Sequence, residues 1–578
     1  MPDPLPSIDP NRRPPMTPRI ALVPDQQGRG GRLQRLTEQG EPVGGVLTAR
    51  DLAAAVAELE AAERPRWVWA AAESAYVPLL AELPDRLGRC HDLRLVEPLL
   101  LGHEGRWGAP RSLGAAWARL RGLPVPDDLP EAGAAEAQDS LFAPDRLQLP
   151  PGTDPLTAVL AVHAEQQRRL GAFEDAAERS RFRLLVAAES AGALAAAEMA
   201  AAGLPWRAEV HDAMLTELLG PRPTVPGTQP ARLAELSVRL QQALGSKPFN
   251  PDSHTQVLKA FADQGIRLSS TRVWELRGID HPAAELMIRY KELSRIHSAH
   301  GWAWQDAWAR GGRFRPEYVV GGVVSGRWAS RGGGALQIPR VLRRAVVADP
   351  GWRLVVADAA QLEPRVLAAL SEDAALARSA AGGDLYQALA ATAFHGERDK
   401  AKLGLLGAMY GQTSGDIGPL LAILRQRYPV AMGYVEAAAR TGEEGGIVRS
   451  RLGRSCPPPS DAWLDLTEAA GGEGEQGPRS ARARGRFTRN FVIQASAADW
   501  ALALIAALRR RLAELPDHPH LVFFQHDEVI VHTPAELAEQ VVSAVTESAA
   551  EASRLVFGPT PVQFPMSTAV VECYADAK

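Results

Sequence analysis

The chain has 578 residues, 46% hydrophobic and 23% charged, with a formal net charge of −4, which calls for several folded domains and excludes disordered, collagenous and strongly basic classes. No uninterrupted apolar run reaches about 18 residues, and Met1-Pro-Asp-Pro-Leu-Pro lacks an apolar signal core, so neither a membrane span nor a secretory leader is expected. Cys90, Cys456 and Cys573 lie too far apart for a disulfide framework or a zinc cluster, and a reducing cytoplasm is the expected compartment.

In chain order, residues 1–17 are Pro-rich and read as a disordered tail. The run Ile20–Val23 starts a first domain reaching about residue 170, with Trp67–Ala70 and Leu93–Leu101 as further strand or helix segments of an α/β layer. Residues 125–155, rich in Pro, Asp and Gly, read as a long loop. From about 156 to 245 the pattern is helical, and two more helices are expected, one opening near Asn250 and one over Pro282–Ala299. Extended, Gly-rich structure follows to about 350. Residues 461–477 form an acidic, Gly-rich insertion. Its Gly472-Glu-Gly474-Glu-Gln-Gly477 formally matches G-x-G-x-x-G, but no strand precedes it and its glutamates would repel a phosphate. No P-loop and no nucleophile elbow occurs.

Charge is unevenly placed. Only six of the 64 basic residues are lysine. Residues 301–350 hold eight Arg against three acids, and 478–490 hold five Arg and no acid. Either stretch alone could be a solvated face; together they suggest a polyanion held over the residues between them.

Three stretches carry chemistry. In Leu354-Val-Val-Ala-Asp358-Ala-Ala-Gln361-Leu-Glu363-Pro364-Arg365, an apolar strand ends at Asp358 and helical spacing resumes at Pro364, taken as a first helical position. Alone, Asp358 is an ordinary turn acid. Next, Arg398, Lys402, Leu406 and Tyr410 fall four apart, so they drift slowly along one helix face that presents two cations, an apolar residue and an aromatic. Such a face can clasp a triphosphate and meet a base, although surface helices often look alike. Finally, Leu521-Val-Phe-Phe-Gln525-His526-Asp527-Glu528-Val-Ile-Val reads as a hairpin with acids at a bend too apolar in its flanks to be exposed. Carboxylates there need a partner, and a divalent metal is the usual one. Asp358 and Asp527 could share two Mg²⁺ ions about 3.5–4 Å apart for in-line phosphoryl transfer.

In order and internal spacing these stretches resemble motifs A, B and C of family A DNA polymerases, the DNA polymerase I or Klenow-like type, including actinobacterial chains named bifunctional 3′–5′ exonuclease/DNA polymerase. Ser325-Gly326-Arg327-Trp-Ala-Ser330, Leu336-Gln337-Ile-Pro339 with Leu342-Arg343, and Arg486-Phe-Thr-Arg-Asn490-Phe-Val-Ile-Gln494 resemble the family's primer–template segments. The resemblance covers roughly 245–578. It implies an α+β right-hand polymerase, with an antiparallel palm sheet, helical fingers and thumb, behind an N-terminal α/β RNase H-like exonuclease-type domain. The implied segments are a tail (1–17), a degenerate exonuclease-like domain (18–170), a helical connector (171–245), thumb (246–310), palm (311–375), fingers (376–440) and palm again (441–578).

It implies roles as well. Asp358 and Asp527 bind the catalytic metals, two Mg²⁺ ions for which Mn²⁺ can substitute, with Glu528 as auxiliary acid. Arg398 and Lys402 hold the triphosphate, with Gln361 and Leu406 also at the nucleotide. Tyr410 sits near the templating base, His526 helps place the primer terminus, and Glu363 crowds the sugar 2′ position. Arg327, Asn490 and Gln494 read minor-groove acceptors, with Gln337, Arg343 and Arg486 on the DNA. The partners implied are primer–template DNA and dNTPs, for a monomeric, cytoplasmic, nucleoid-associated enzyme without a membrane.

The chain departs from the family in places. Leu406 stands where the family has Phe or Tyr, Ala359 replaces a Tyr, and Gln337-Ile-Pro is one residue short. Residues 1–170 contain no D-x-E and no Tyr-x-x-x-Asp, and Asp92 is the only candidate middle acid, so the first domain is expected to be inactive as a nuclease. A 5′-nuclease domain is not expected in this length. The competing readings are an active proofreading enzyme, a catalytically weak DNA-binding scaffold, and a single-subunit RNA polymerase, which Glu363 disfavours.

Overall fold

The computed structural model describes residues 18–25, 28–129, 147–225, 227–331, 337–411, 417–468 and 476–577. The Pro-rich tail, the middle of the 125–155 loop, Leu336 and the centre of the acidic insertion lie outside them. The chain divides into two compact units: one of residues 1–201, 318–329 and 357–568, the other of residues 202–317, 330–356 and 569–578.

The first unit opens on five strands: β1 (Arg19–Pro24), β2 (Gly31–Leu36), β3 (Pro42–Ala49), β4 (Arg66–Trp69) and β5 (Arg89–Asp92), in the order β3-β2-β1-β4-β5. β1 pairs antiparallel with β2 and parallel with β4, which pairs parallel with β5. Successive side chains of β1 and β4 point to opposite faces, and both faces are covered. Ile20, Leu22, Trp67 and Trp69 pack with Leu52 and Val56 of α1 (Leu52–Glu63). Ala21, Val23 and Val68 pack on the other side with Leu93 of α2 (Leu93–His103), Trp117 of α3 (Leu113–Arg121) and Val159 of α4 (Pro155–Gly171). Asp51, Asp92, Ser112 and Asp154 cap these four helices with their side chains. The ambiguous run at 93–101 is therefore helix, started by Asp92. The long α5 (Ala176–Ala202) completes this part.

The rest of this unit carries the three chemistry-bearing stretches. A four-stranded sheet has the order β7-β8-β6-β9, built from β6 (Trp352–Ala359), β7 (His520–Gln525), β8 (Glu528–Pro534) and β9 (Met566–Val571), of which residues 352–356 and 569–571 are counted with the second unit. β7 and β8 are antiparallel and pair Gln525 with Glu528, leaving His526 and Asp527 as a two-residue turn. The helices of eight or more residues are α6 (Leu362–Ser371), α7 (Leu385–Ala393), α8 (Arg398–Tyr410), α9 (Ile417–Arg427), α10 (Pro429–Glu443), α11 (Asp461–Glu468), α12 (Gln476–Leu512) and α13 (Ala538–Phe557). One expectation is corrected here. α6 begins at Leu362, so Pro364 is its third residue rather than its first. The cost is small, because the first four N–H groups of a helix have no internal partner anyway.

The second unit holds helices Ala208–Leu219, Ala231–Ala243, His254–Ala262 and Pro282–His300 around Leu215, Leu240, Phe261 and Tyr290. The helical run expected from 156 to 245 is interrupted by the short strand Leu204–Pro205. The stretch expected to stay extended up to about 350 includes the helix Trp302–Trp308 and a 3₁₀ turn, Arg340–Ala345.

Two helices, Ala176–Ala202 and Gly477–Leu512, are long and apolar enough to cross a membrane by length and composition. Their apolar windows are 72% and 89% buried within the fold, as core helices are.

Candidate active site

The site begins with the apolar middle of strand β6. Leu354, Val355, Val356 and Ala357 are buried, and Asp358, next in line, is half-buried at the strand's end. Ala359 N donates to Asp527 O at 3.0 Å, and Ala360 N donates to Pro565 O at 3.0 Å. That register sets Asp358 beside the β7–β8 turn. In the turn, Asp527 is half-buried and His526 is exposed, and Glu528, the first residue of β8, is buried. His526 has φ +56, a conformation that normally selects Gly. A non-Gly residue held there costs about 1–3 kcal/mol, a kind of strain that clusters at functional sites.

Among the described residues no group of three or more His, Cys, Asp and Glu could cage a metal. Two carboxylates on a strand end and a tight turn still suit a small hard cation, which binds through one or two carboxylates plus water and substrate phosphates. Asp358 and Asp527 fit such a cation.

Glu363, in the first turn of α6, has both oxygens engaged. Arg327 donates to Oε1, and the Tyr410 hydroxyl donates to Oε2 at 2.5 Å. Burial and then Glu363 push the Tyr410 hydroxyl well above its ordinary pKa, so it stays a donor. His526 is held below its ordinary pKa by the covered part of its ring and then by the like charge of Arg327, with Glu363 opposing. Leu406, one turn before Tyr410, is half-buried.

Arg398 and Lys402 are exposed on α8. Arg398 Nε donates to Asp384 at 2.8 Å, and its guanidinium lies 5.6 Å from the centre of the Tyr386 ring. Burial, first of all, pushes Tyr386 up to about 12. Gln361, at φ +56, donates to Asp384 at 2.7 Å and accepts from Leu385 N at 2.8 Å.

Arg327 belongs to the segment 318–329, which is packed on a buried ion pair. Arg454 Nη2 lies 2.7 Å from Glu189 and its Nε 3.5 Å from Asp499. A Cβ on Gly326 (φ +85) would fall 2.4 Å from Arg454 Nε, so only glycine lets the turn carrying Arg327 sit this close. On α12, Arg486 is exposed and its stem covers Gly411, where a Cβ would meet it at 2.8 Å. Asn490 and Gln494 are half-buried, and Asn490 Oδ1 is buried with no hydrogen-bond partner among the described residues. The other two DNA-facing candidates belong to the second unit. Gln337 accepts from Arg295 at 3.3 Å, and Arg343 stacks 4.4 Å from the Tyr574 ring centre.

In the N-terminal sheet the acids serve other ends. Asp92 is fully buried and accepts from Ala72 N (2.7 Å) and Leu95 N (3.1 Å); burial pushes it up to about 6. Asp25 accepts from Gly30 N, and Asp154 pairs with Arg32.

Sequence reasoning missed three residues. Arg365 is fully buried, and its guanidinium donates to Ala360 O (3.0 Å), Ala380 O (2.8 Å), Gln563 O (2.9 Å) and Gly382 O (3.1 Å), stapling the turn after Asp358. An arginine on the apolar face of a helix was the available signal. Neither Asp384 nor Arg454 carried a signal that set it apart from other charged residues.

Comparison with known proteins comes from three directions. The family model "DNA polymerase family A" matches residues 228–570. The DNA polymerase I of Chloroflexus aurantiacus is 28% identical over 351 residues, covering 53% of this chain and 36% of that protein. The thermostable DNA polymerase I of Thermus aquaticus is 27% identical over 510 residues, covering 77% of this chain and 59% of that protein. The chain thus spans less than two thirds of the length of these curated relatives. The POL domain of Pol1 from M. smegmatis, solved in complex with DNA primer-template and dNTP, matches with a TM-score of 0.69 and 18% identity over 97% of this chain and 96% of that one. That likeness shows the fold. Because the family model takes in more than half of the sequence, with Asp358, Arg398 and Asp527 all inside the match, the chain belongs to the family A DNA polymerases.

Proposed function

We propose that this protein is a DNA-templated DNA polymerase that extends a primer 3′-hydroxyl with dNTPs and releases pyrophosphate. One observation supports the reading: the hydrogen bond from Ala359 N to Asp527 O, which brings the backbone next to Asp358 against the hairpin turn that bears Asp527. In the same unit, Glu363 is fixed between Arg327 and Tyr410, and Arg398 and Lys402 stand exposed one turn apart.

Asp358 and Asp527 would hold two Mg²⁺ ions, with Mn²⁺ able to substitute. Such ions supply activation of the attacking hydroxyl and stabilisation of the leaving pyrophosphate. The protein's own residues bind and orient. Arg398 and Lys402 neutralise the triphosphate. Glu363, held by two donors, presents a rigid wall to the sugar 2′ position. Asn490, whose buried carbonyl has no partner among the described residues, Gln494 and Arg327 would face the minor groove, with Arg486, Gln337 and Arg343 on the DNA strands.

The N-terminal domain acts here as a scaffold without proofreading. Its first strand bears no D-x-E, and Asp92 is spent capping backbone N–H groups. A monomer working in the cytoplasm on gaps during repair or replication suits this combination.

The test is primer extension with Mg²⁺ by the parent chain, Asp358→Ala and Asp527→Ala. The parent should extend, and each variant should lose at least about a thousandfold, as expected when transition-state charge stabilisation is removed. Near-parental extension by either variant would refute the assignment. An end-labelled mismatched primer, incubated without dNTPs, should keep its length.

A further inference from the structure

We propose that Asp384 is a positioning residue for the incoming nucleotide, acting through Arg398 and Gln361. The inference rests on the polymerase reading above and adds a residue to it.

Asp384 precedes the first residue of α7 and joins three elements with one carboxylate. Oδ1 accepts from Gln387 N (3.1 Å), capping α7, and from the Gln361 amide (2.7 Å), which lies in the turn after Asp358. Oδ2 accepts from Arg398 Nε (2.8 Å), the first residue of α8. Gln361 is pinned from its other side by Leu385 N and, at 3.4 Å, by Arg365. Arg398 therefore spends a single donor on Asp384 while Tyr386 backs its plane. Its two terminal nitrogens make no hydrogen bond among the described residues. An arginine gripped at Nε offers its Nη1/Nη2 edge intact, the edge that binds phosphate in a fork.

Stability does not explain the arrangement. The Arg398 and Asp384 side chains are 42% and 39% exposed, and exposed pairs contribute little. A carboxylate beside a triphosphate site also opposes binding by its charge. Its presence is accounted for if it fixes the direction of Arg398 and the seat of Gln361.

Asp384→Asn separates this role from helix capping. Asparagine caps α7 as well, and its carbonyl can still take the Gln361 amide, but its NH₂ cannot accept from Arg398. In primer extension the KM for dNTP should rise about tenfold with kcat within about twofold, the signature of lost binding rather than lost chemistry. With a chain-terminated primer, where no chemistry follows, the dNTP concentration that locks the protein on DNA in a gel shift should rise by a like factor. The melting temperature should not move. In an Arg398→Met background, Asp384→Asn should add nothing. A KM and a gel-shift midpoint within about twofold of the parent, with or without a lowered melting temperature, would overturn the proposal. So would effects of the two substitutions that multiply. A parent chain that extends no primer would instead remove the polymerase reading, and this inference with it.

Discussion

Replacing Glu198 by Gln should destabilise the protein far more than a single buried hydrogen bond would suggest. Glu198 on α5 is 3% exposed and Arg509 on α12 is 8% exposed. Arg509 donates to both carboxylate oxygens, at 2.8 and 2.5 Å, and also to Gly88 O and Leu87 O beside β5. The Tyr76 hydroxyl donates to Glu198 at 2.6 Å. Burial is the largest single effect and would raise the Glu198 pKa, yet the charge and hydrogen bonds of Arg509, with Arg86 and Tyr76, together outweigh it and hold the carboxyl below its ordinary value. Glutamine keeps the shape but leaves Arg509 buried without a counter-charge, with the Arg86 guanidinium 3.4 Å from the former carboxylate. Breaking a buried pair from one side costs roughly 3–5 kcal/mol. Leu87 and Gly88 carbonyls remain, and both side chains line a cavity of about 440 Å³ that can admit water, so the low end, about 3 kcal/mol, is expected. Glu198→Leu with Arg509→Leu together removes both charges and should cost less than about half of that. Urea denaturation followed by tryptophan fluorescence measures each, since Trp67 and Trp69 lie in the adjacent sheet. A loss under about 1 kcal/mol for Glu198→Gln, or a double variant no better than the single, would refute the reasoning.

Further outcomes follow from the same structure. Acid should loosen the second unit: burial holds His211 and His300 down to about 4, so both are neutral when folded and take up protons on unfolding. Their contribution is complete above about pH 6.5 and is lost as pH falls toward 4, at about 1.4 kcal/mol per pH unit for each. In the N-terminal domain, His91, held to about 3, and His163, held well below its ordinary value by burial, act the same way, while Asp92, pushed to about 6, acts oppositely between about 4 and 6 and offsets part of it. Thermal melts from pH 7.5 to 4.5 should show this slope, and His300→Met should flatten it; an unchanged slope would count against it. Glu363→Ala frees Arg327 and Tyr410 together, and should lower the preference for dNTP over rNTP by about tenfold or more, read by single-nucleotide incorporation. Arg365→Met strands several buried carbonyls, each costing about 1–3 kcal/mol, so a loss of at least about 3 kcal/mol in urea denaturation is expected.

By itself the sequence determined what depends on neighbours along the chain. The apolar strand leading to Asp358, the cation row on α8 and the tight turn at Asp527 are local patterns of apolar periodicity and turn length, and each was legible. So was the absence of D-x-E from the first domain. Where a single residue decides a boundary, the reading slipped, as at Pro364, because a helix start tolerates proline at several of its first positions.

Only the tertiary structure decided which side chains meet. Glu363 is bridged by Arg327, 36 residues before it, and Tyr410, 47 after it. Arg454 finds Glu189 across 265 residues, and Arg509 finds Glu198 across 311. Nothing in local spacing encodes such pairs: a buried arginine is tolerable wherever the fold brings it a carboxylate, and that encounter depends on how distant helices pack. Asp384 shows the same limit most closely. In the sequence it is one more acid before a helix; in the fold its carboxylate reaches Gln361 and Arg398, and that is a fact of packing.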